Sequence, residues 1–170
     1  NATSAIGFDK NSNKSSIYEM LLGEMSAKEV ITKTDIDWLE LIPSNINLIG
    51  AEVELVGELA RETKLKNALV PIKNSYDHIL VDCPPSLGLL TVNALTAADS
   101  ILIPIQCEYY AMEGLTQLMK TIHLVRQALN PKLELEGIVL TMFDSRVNLS
   151  QQVADEVRKF FGNKVYKTVI

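Results

Sequence analysis

The residues best suited to chemistry lie in one run, His78-Ile79-Leu80-Val81-Asp82-Cys83-Pro84-Pro85-Ser86. An apolar stretch this short, stopped by two prolines, predicts a core strand of a parallel sheet, because both of its faces are apolar and proline cannot extend the ladder. Its last residue is a carboxylate. At the carboxyl end of a parallel strand that group faces the crevice where open α/β sheets bind ligands. Two readings of Asp82 follow. It is a Walker B aspartate, holding Mg²⁺ through water beside nucleotide phosphates, or it is a turn-forming residue ahead of prolines.

A phosphate site needs more than a metal-side carboxylate. No G-x-x-x-x-G-K-[ST] loop occurs in the 170 residues, and the eight glycines are scattered singly. Cys83 and Cys107 each follow a predicted strand and have no histidine nearby, so they are read as reduced bystanders. His78 and His123 receive no role. A net charge of −5 opposes a domain-wide nucleic-acid footprint, so a DNA contact has to come from a local basic patch. With 47% hydrophobic residues the chain can fill one core, and residues 1–170 are read as a single domain. No apolar run approaches the roughly 20 residues needed to span a bilayer, and no signal-peptide pattern opens the chain. A soluble, cytoplasmic protein without a membrane partner is expected.

The elements that position these groups can be read from spacing. The first fourteen residues are turn-rich and predicted as loop. Ser15-Ser16 and Ser26 cap two short helices. Trp38 to Ile42 reads as a strand stopped by Pro43, and Ile46 to Ile49 as a brief extended piece. Helical spacing covers Val53 to Ala60 and Leu65 to Leu69. After the Asp82 strand come a helix over 87–98, a strand over 101–105, a helix carrying Leu115, Leu118, Ile122, Val125 and Leu129, a strand over 138–143, a helix over 149–160 and a strand from Lys164. Strands alternating with crossover helices predict an α/β fold, a doubly wound and mostly parallel sheet with helices on both faces. The strand ends then carry Asp82, Gln106 with Glu108, and Thr141 through Asp144, all expected on one sheet edge.

The runs IPSNINLIGAEVELV, YDHILVDCPPSLGLLTVNALTAADSILIPIQCEYYAMEGL and GIVLTMFDSRVNLSQQV resemble the ParA/Soj family of chromosome- and plasmid-partitioning ATPases. These are deviant-Walker P-loop proteins that dimerise around ATP. The resemblance covers nearly the whole chain and implies a P-loop NTPase-like sheet whose first strand, with the phosphate loop, precedes the matching segment. It also implies that the adenine-holding Pro-Arg-Asn segment follows it. The chain is therefore expected to be an internal piece, with the apolar edge of Ile79, Leu80 and Val81 left uncovered.

Carried over position by position, the resemblance implies that Asp82 is the catalytic, Mg²⁺-holding aspartate. Pro84 and Pro85 would belong to the segment that senses the γ-phosphate, and Thr141 and Met142 to the strand end near adenine. Glu108, Tyr109, Tyr110, Met112, Glu113 and Gly114 would form a dimer face, and Arg146 would contact DNA. Lys120, Arg126, Arg158, Lys159, Lys164 and Lys167 could share its face or simply meet water. The implied cofactors of the full-length parent are ATP and Mg²⁺. The implied partners are non-specific DNA, a ParB-like centromere-binding protein and a second copy, in a bacterial, nucleoid-associated setting. The chain alone is expected to be inactive. Competing readings are a non-enzymatic dimerisation module on the same scaffold and a related ATPase of the MinD type. A phosphoryl-accepting receiver domain fits poorly, since Glu40 is badly placed for its acidic cluster and Thr141 stands where it needs lysine.

Overall fold

The computed structural model describes residues 2–9, 15–84 and 86–170. The chain divides into two compact units, Asn1–Ala97 and Ala98–Ile170.

The first unit is mostly helical: α1 (Ala2–Ala5), α2 (Ile17–Leu22), α3 (Ala27–Val30), a ribbon of β1 (Thr32–Lys33) and β2 (Glu40–Leu41), then α4 (Leu48–Glu54), α5 (Lys64–Leu69) and α6 (Leu89–Ala97). Local chemistry sets the helix starts. The Ser16 hydroxyl accepts from the Tyr18 N–H at 3.2 Å, while the Ser16 N–H donates to Glu19 at 2.8 Å, a capping box ahead of α2. Gly23, with φ at +81°, ends that helix in a left-handed turn that glycine adopts without strain. Before α3 the Ser26 N–H donates to Glu29 at 2.8 Å. Met20, Leu21, Ala27, Val30, Leu65, Ile72 and Ala94 form the core of this unit.

Asn93 is 1% exposed and organises the joint between α5 and α6. Its Oδ1 accepts the Leu65 N–H at 3.1 Å, and its Nδ2 donates to the carbonyls of Arg61 at 2.8 Å and Leu89 at 3.1 Å. It thus supplies from another helix the acceptor that the start of α5 lacks.

Several sequence expectations in this unit need correction. Residues 2–5 form a helical turn where loop was predicted; Lys10 to Lys14 lie outside the described residues. Only Glu40–Leu41 of the 38–42 strand pairs, antiparallel to Thr32–Lys33, because Trp38 takes a left-handed φ of +66° that breaks the extended run. Ile46 to Ile49 is not extended but leads into α4. The predicted Asp82 strand makes no ladder with any described residue. A strand needs a neighbour for its N–H and C=O groups, and apolar composition alone supplies none.

The second unit is a β-α-β-α-β succession: β3 (Ser100–Gln106), α7 (Ala111–Ala128), β4 (Glu134–Thr141), α8 (Asn148–Phe161) and β5 (Val165–Val169). Its three strands are parallel in the order β3-β4-β5, with Gln106 opposite Thr141 and Ile138 opposite Val165. Ile103 and Ile105 of β3 are buried while Leu102 and Pro104, which alternate with them, are exposed, the period-two signature of a sheet with one covered face. Leu115, Ile122 and Val125 of α7 and Val153, Ala154 and Val157 of α8 are buried as well. The spacing predicted these elements closely, and the α/β class with its parallel sheet stands.

Candidate functional site

Asp82 sits in the first unit on a segment with no regular structure, between the exposed Leu80 and the start of α6. Its Oδ2 accepts the Ala2 N–H at 2.9 Å, so the carboxylate faces the first amide of α1. Cys83 follows, its Sγ 3.6 Å from the Val81 carbonyl oxygen. Crowding around that sulfur pushes the thiol above its ordinary range, and the Asp82 charge adds to the effect. Pro84 is exposed on the same segment; Pro85 lies outside the described residues. The segment reaches α6 through Ser86, whose carbonyl accepts the Thr91 hydroxyl at 2.6 Å.

The other predicted site residues lie in the second unit, at the carboxyl edge of its parallel sheet. The ends of β3 and β4 are joined there by the Cys107 N–H donating to the Thr141 carbonyl at 3.2 Å. From β3 the chain turns through Glu108, Tyr109 and Tyr110 into α7. Tyr109 is 75% exposed and Tyr110 73%, their rings edge to face with centroids 5.1 Å apart. Tyr110 precedes the first residue of α7, and its carbonyl accepts the Gly114 N–H at 3.1 Å. Glu113 lies in the first turn, where a carboxylate is favoured by the helix dipole. Met112 is half-buried one residue before it.

From β4 the chain turns at Met142, which holds a left-handed φ of +53° with its side chain 71% exposed. That backbone costs an ordinary L residue about 1 kcal/mol, and clusters of such strain mark ligand-facing turns. Two residues on, Asp144 and Arg146 form a two-pronged pair, Nε to Oδ1 at 2.9 Å and Nη2 to Oδ2 at 2.7 Å. The guanidinium holds the Asp144 carboxyl below the usual range, and the carboxylate pushes the Arg146 guanidinium up. The Arg146 side chain is 87% exposed, so the pair sits in water.

The proposed basic companions of Arg146 are partly engaged. Arg158 stands 3.8 Å from Asp155, and Lys164 donates to the Leu135 carbonyl at 2.7 Å. Sequence reasoning missed Ser150, whose buried hydroxyl donates from α8 to the Cys107 carbonyl at 3.3 Å and pins the end of β3. Its lone serine in an amphipathic pattern gave no signal. Asn93 was missed for the same reason.

Among the described residues no group of three or more His, Cys, Asp or Glu side chains could hold a metal ion. A single hard carboxylate such as Asp82 suits Mg²⁺ when phosphates and waters complete the shell, since Mg²⁺ keeps several waters. No helix among the described residues is long and apolar enough to cross a membrane.

A family model described as an AAA domain matches residues 1–135. The chain is 52% identical over its whole length to the Sporulation initiation inhibitor protein Soj of Bacillus subtilis, covering 67% of that protein. It is also 52% identical, again over its whole length, to the Chromosome partitioning protein ParA of Myxococcus xanthus, covering 60% of it. Among solved structures, Cobyrinic Acid a,c-diamide synthase from Mycobacterium smegmatis with bound ATP analog and Magnesium superposes with a TM-score of 0.87. That likeness holds at 39% identity over 94% of this chain and 65% of the other. The chain thus spans about two thirds or less of each of these proteins.

Proposed function

Because the chain belongs to the ParA/Soj family of deviant-Walker P-loop proteins, we propose that the whole protein is an ATP-dependent DNA-partitioning ATPase. In this reading it dimerises on ATP, binds DNA without sequence preference, and is stimulated by a ParB-like centromere-binding protein. The 52% identity of the whole chain to the Chromosome partitioning protein ParA of Myxococcus xanthus carries the proposal.

Asp82 is the residue that would hold Mg²⁺ through water. Its Oδ2 already accepts the Ala2 backbone N–H, which anchors the carboxylate. When bound, ATP·Mg²⁺ supplies the phosphoryl group and the charge that Asp82 helps balance. Pro84 and Pro85 would stiffen the segment that meets the γ-phosphate. Thr141 and Met142 would border the adenine, the left-handed turn at Met142 directing the chain away from β4. Glu108, Tyr109, Tyr110, Met112, Glu113 and Gly114 would meet the second copy. The exposed tyrosines support this, being large and apolar with a polar tip. Asp82→Ala in the whole protein should reduce turnover by at least about a hundredfold with the circular dichroism spectrum unchanged. Unchanged turnover removes Asp82 from the site.

Arg146 would contact DNA phosphate, and its pairing with Asp144 sets the terms. A phosphate has to compete with a carboxylate already bound in two places. Asp144→Asn should therefore tighten DNA binding, and Arg146→Glu should weaken it and flatten its dependence on salt. Because the Asp144 pKa is depressed, the pair persists above the ordinary carboxylate range and is lost only as pH falls through the lowered value. DNA affinity measured at several salt concentrations checks both variants.

The absence of a G-x-x-x-x-G-K-[ST] loop within the 170 residues favours one corollary. This chain alone should bind ATP·Mg²⁺ negligibly, since loop amides and lysine do most of the phosphate binding. Micromolar affinity in a calorimetric titration would overturn it.

A further inference from the structure

Gly88 lies at the start of α6, the helix that receives the segment running from Asp82. Its carbonyl accepts the Val92 N–H at 3.1 Å, the first intrahelical bond of α6, which makes Gly88 the capping position. A glycine there has no side chain to offer the first-turn amides. The space where its Cβ would stand is filled instead by the carboxylate of Glu52 from α4, with Cδ 3.0 Å and Oε2 3.3 Å from that point. Ala51, next to Glu52 on α4, and Leu55, just past the end of that helix, are fully buried and fix it in place. The Glu52 Oε1 is itself buried and has no hydrogen-bond partner among the described residues. A carboxylate oxygen kept this way needs a compensating field, and the amino-terminal end of α6 provides a positive one.

We infer that Glu52 is a positioning residue for the Asp82 segment: its carboxylate, without a hydrogen bond to α6, fills the space beside Gly88 at the positive end of that helix and braces the point at which the segment lands. The inference rests on the proposed ATPase reading for its catalytic consequence, but the brace itself is a property of this chain. Glycine at 88 is required because any Cβ would displace the carboxylate. The carboxylate is the far end of a flexible side chain, so Gly88→Ala should fold and simply push Glu52 aside. Glu52→Ala and Gly88→Ala should therefore have the same effect, and the double variant no more than either alone. Glu52→Gln, with an amide oxygen in the same place, should restore most of the function.

Two measurements test this. In the 170-residue chain, hydrogen exchange at 88–92 should quicken by about tenfold in Glu52→Ala and in Gly88→Ala, but not in Glu52→Gln, with the amides of β4 unchanged as a control for folding. In the whole protein, Glu52→Ala and Gly88→Ala should lower kcat about tenfold with KM for ATP within about twofold, and Glu52→Gln should recover kcat. Unaltered exchange in Glu52→Ala overturns the brace. Altered exchange with unchanged kcat overturns the positioning role. A whole protein that never hydrolyses ATP counts against the ATPase reading, and the exchange experiment still decides the brace.

Discussion

Two apolar segments of this chain have nearly interchangeable sequences and opposite fates. Ile101 to Ile105 falls within β3 and pairs in parallel with β4, with one register shift between Ile101 and Leu102. Ile79 to Asp82 forms no strand ladder with any described residue and leaves Leu80 94% exposed. Composition does not separate them. What separates them is the neighbour: β3 is followed by an amphipathic helix and a second strand that returns alongside it, whereas the Asp82 segment runs into two prolines and α6. Strand formation is a property of pairs, and the energetic consequences should differ accordingly.

The largest contrast should appear in amide exchange. The amides of Ile103, Ile105, Ile138 and Leu140 should be protected by orders of magnitude relative to those of Ile79, Leu80 and Val81, because only the former sit in a paired and buried strand. Equal protection would mean that the Asp82 segment finds a partner in solution. A bare apolar edge recruits other strands, so light scattering should also show self-association of this chain, and a clean monomer would break that expectation.

A paired truncation sharpens the comparison next. Leu140→Ala, at a fully buried site, should cost about 2–5 kcal/mol by denaturant unfolding, while Leu80→Ala should stay within about 0.5 kcal/mol. A large loss at Leu80 would reveal a hidden contact. Between these lies Asn93→Ala, which strands the Leu65 N–H and two carbonyls in a buried joint and should cost about 3 kcal/mol.

The smallest effect concerns the Asp82 segment alone. Because crowding and the Asp82 charge both hold the Cys83 thiol in its protonated form, alkylation at about pH 8 should be slow and should rise with pH. Asp82→Asn removes the negative charge, lowers the thiol pKa and should speed alkylation by a few fold. An unchanged rate would mean that the two side chains do not sense each other. Cys107, buried in the second unit, should stay unreactive in both forms.

The candidate site divides along the same line. Thr141, Met142, Glu108 and the two tyrosines could be placed on one sheet edge because regular β-α-β alternation fixes which strand ends face the same way. Asp82 was legible as a chemical group but not as a strand end. Its hydrogen bond to Ala2 joins residues 80 positions apart, and no local pattern announces it. Arg146 was legible as a loop cation, while its engagement by Asp144 depended on a turn geometry that spacing does not specify. Glu52 gave no signal at all, being one of two glutamates in a short helix.

The sequence by itself determined the periodic elements: the helix faces of α7 and α8, the alternation of β3, the serine caps of α2 and α3, and the family. Those follow from side-chain spacing and from contacts a few residues apart, which the chain encodes locally. Only the tertiary structure decided which apolar run finds a strand to pair with, which buried polar groups meet across the fold, and that the Glu52 carboxylate comes to rest against Gly88. Each of these depends on groups far apart in the chain meeting in close contact, and a steep dependence on distance is something that one-dimensional spacing does not carry.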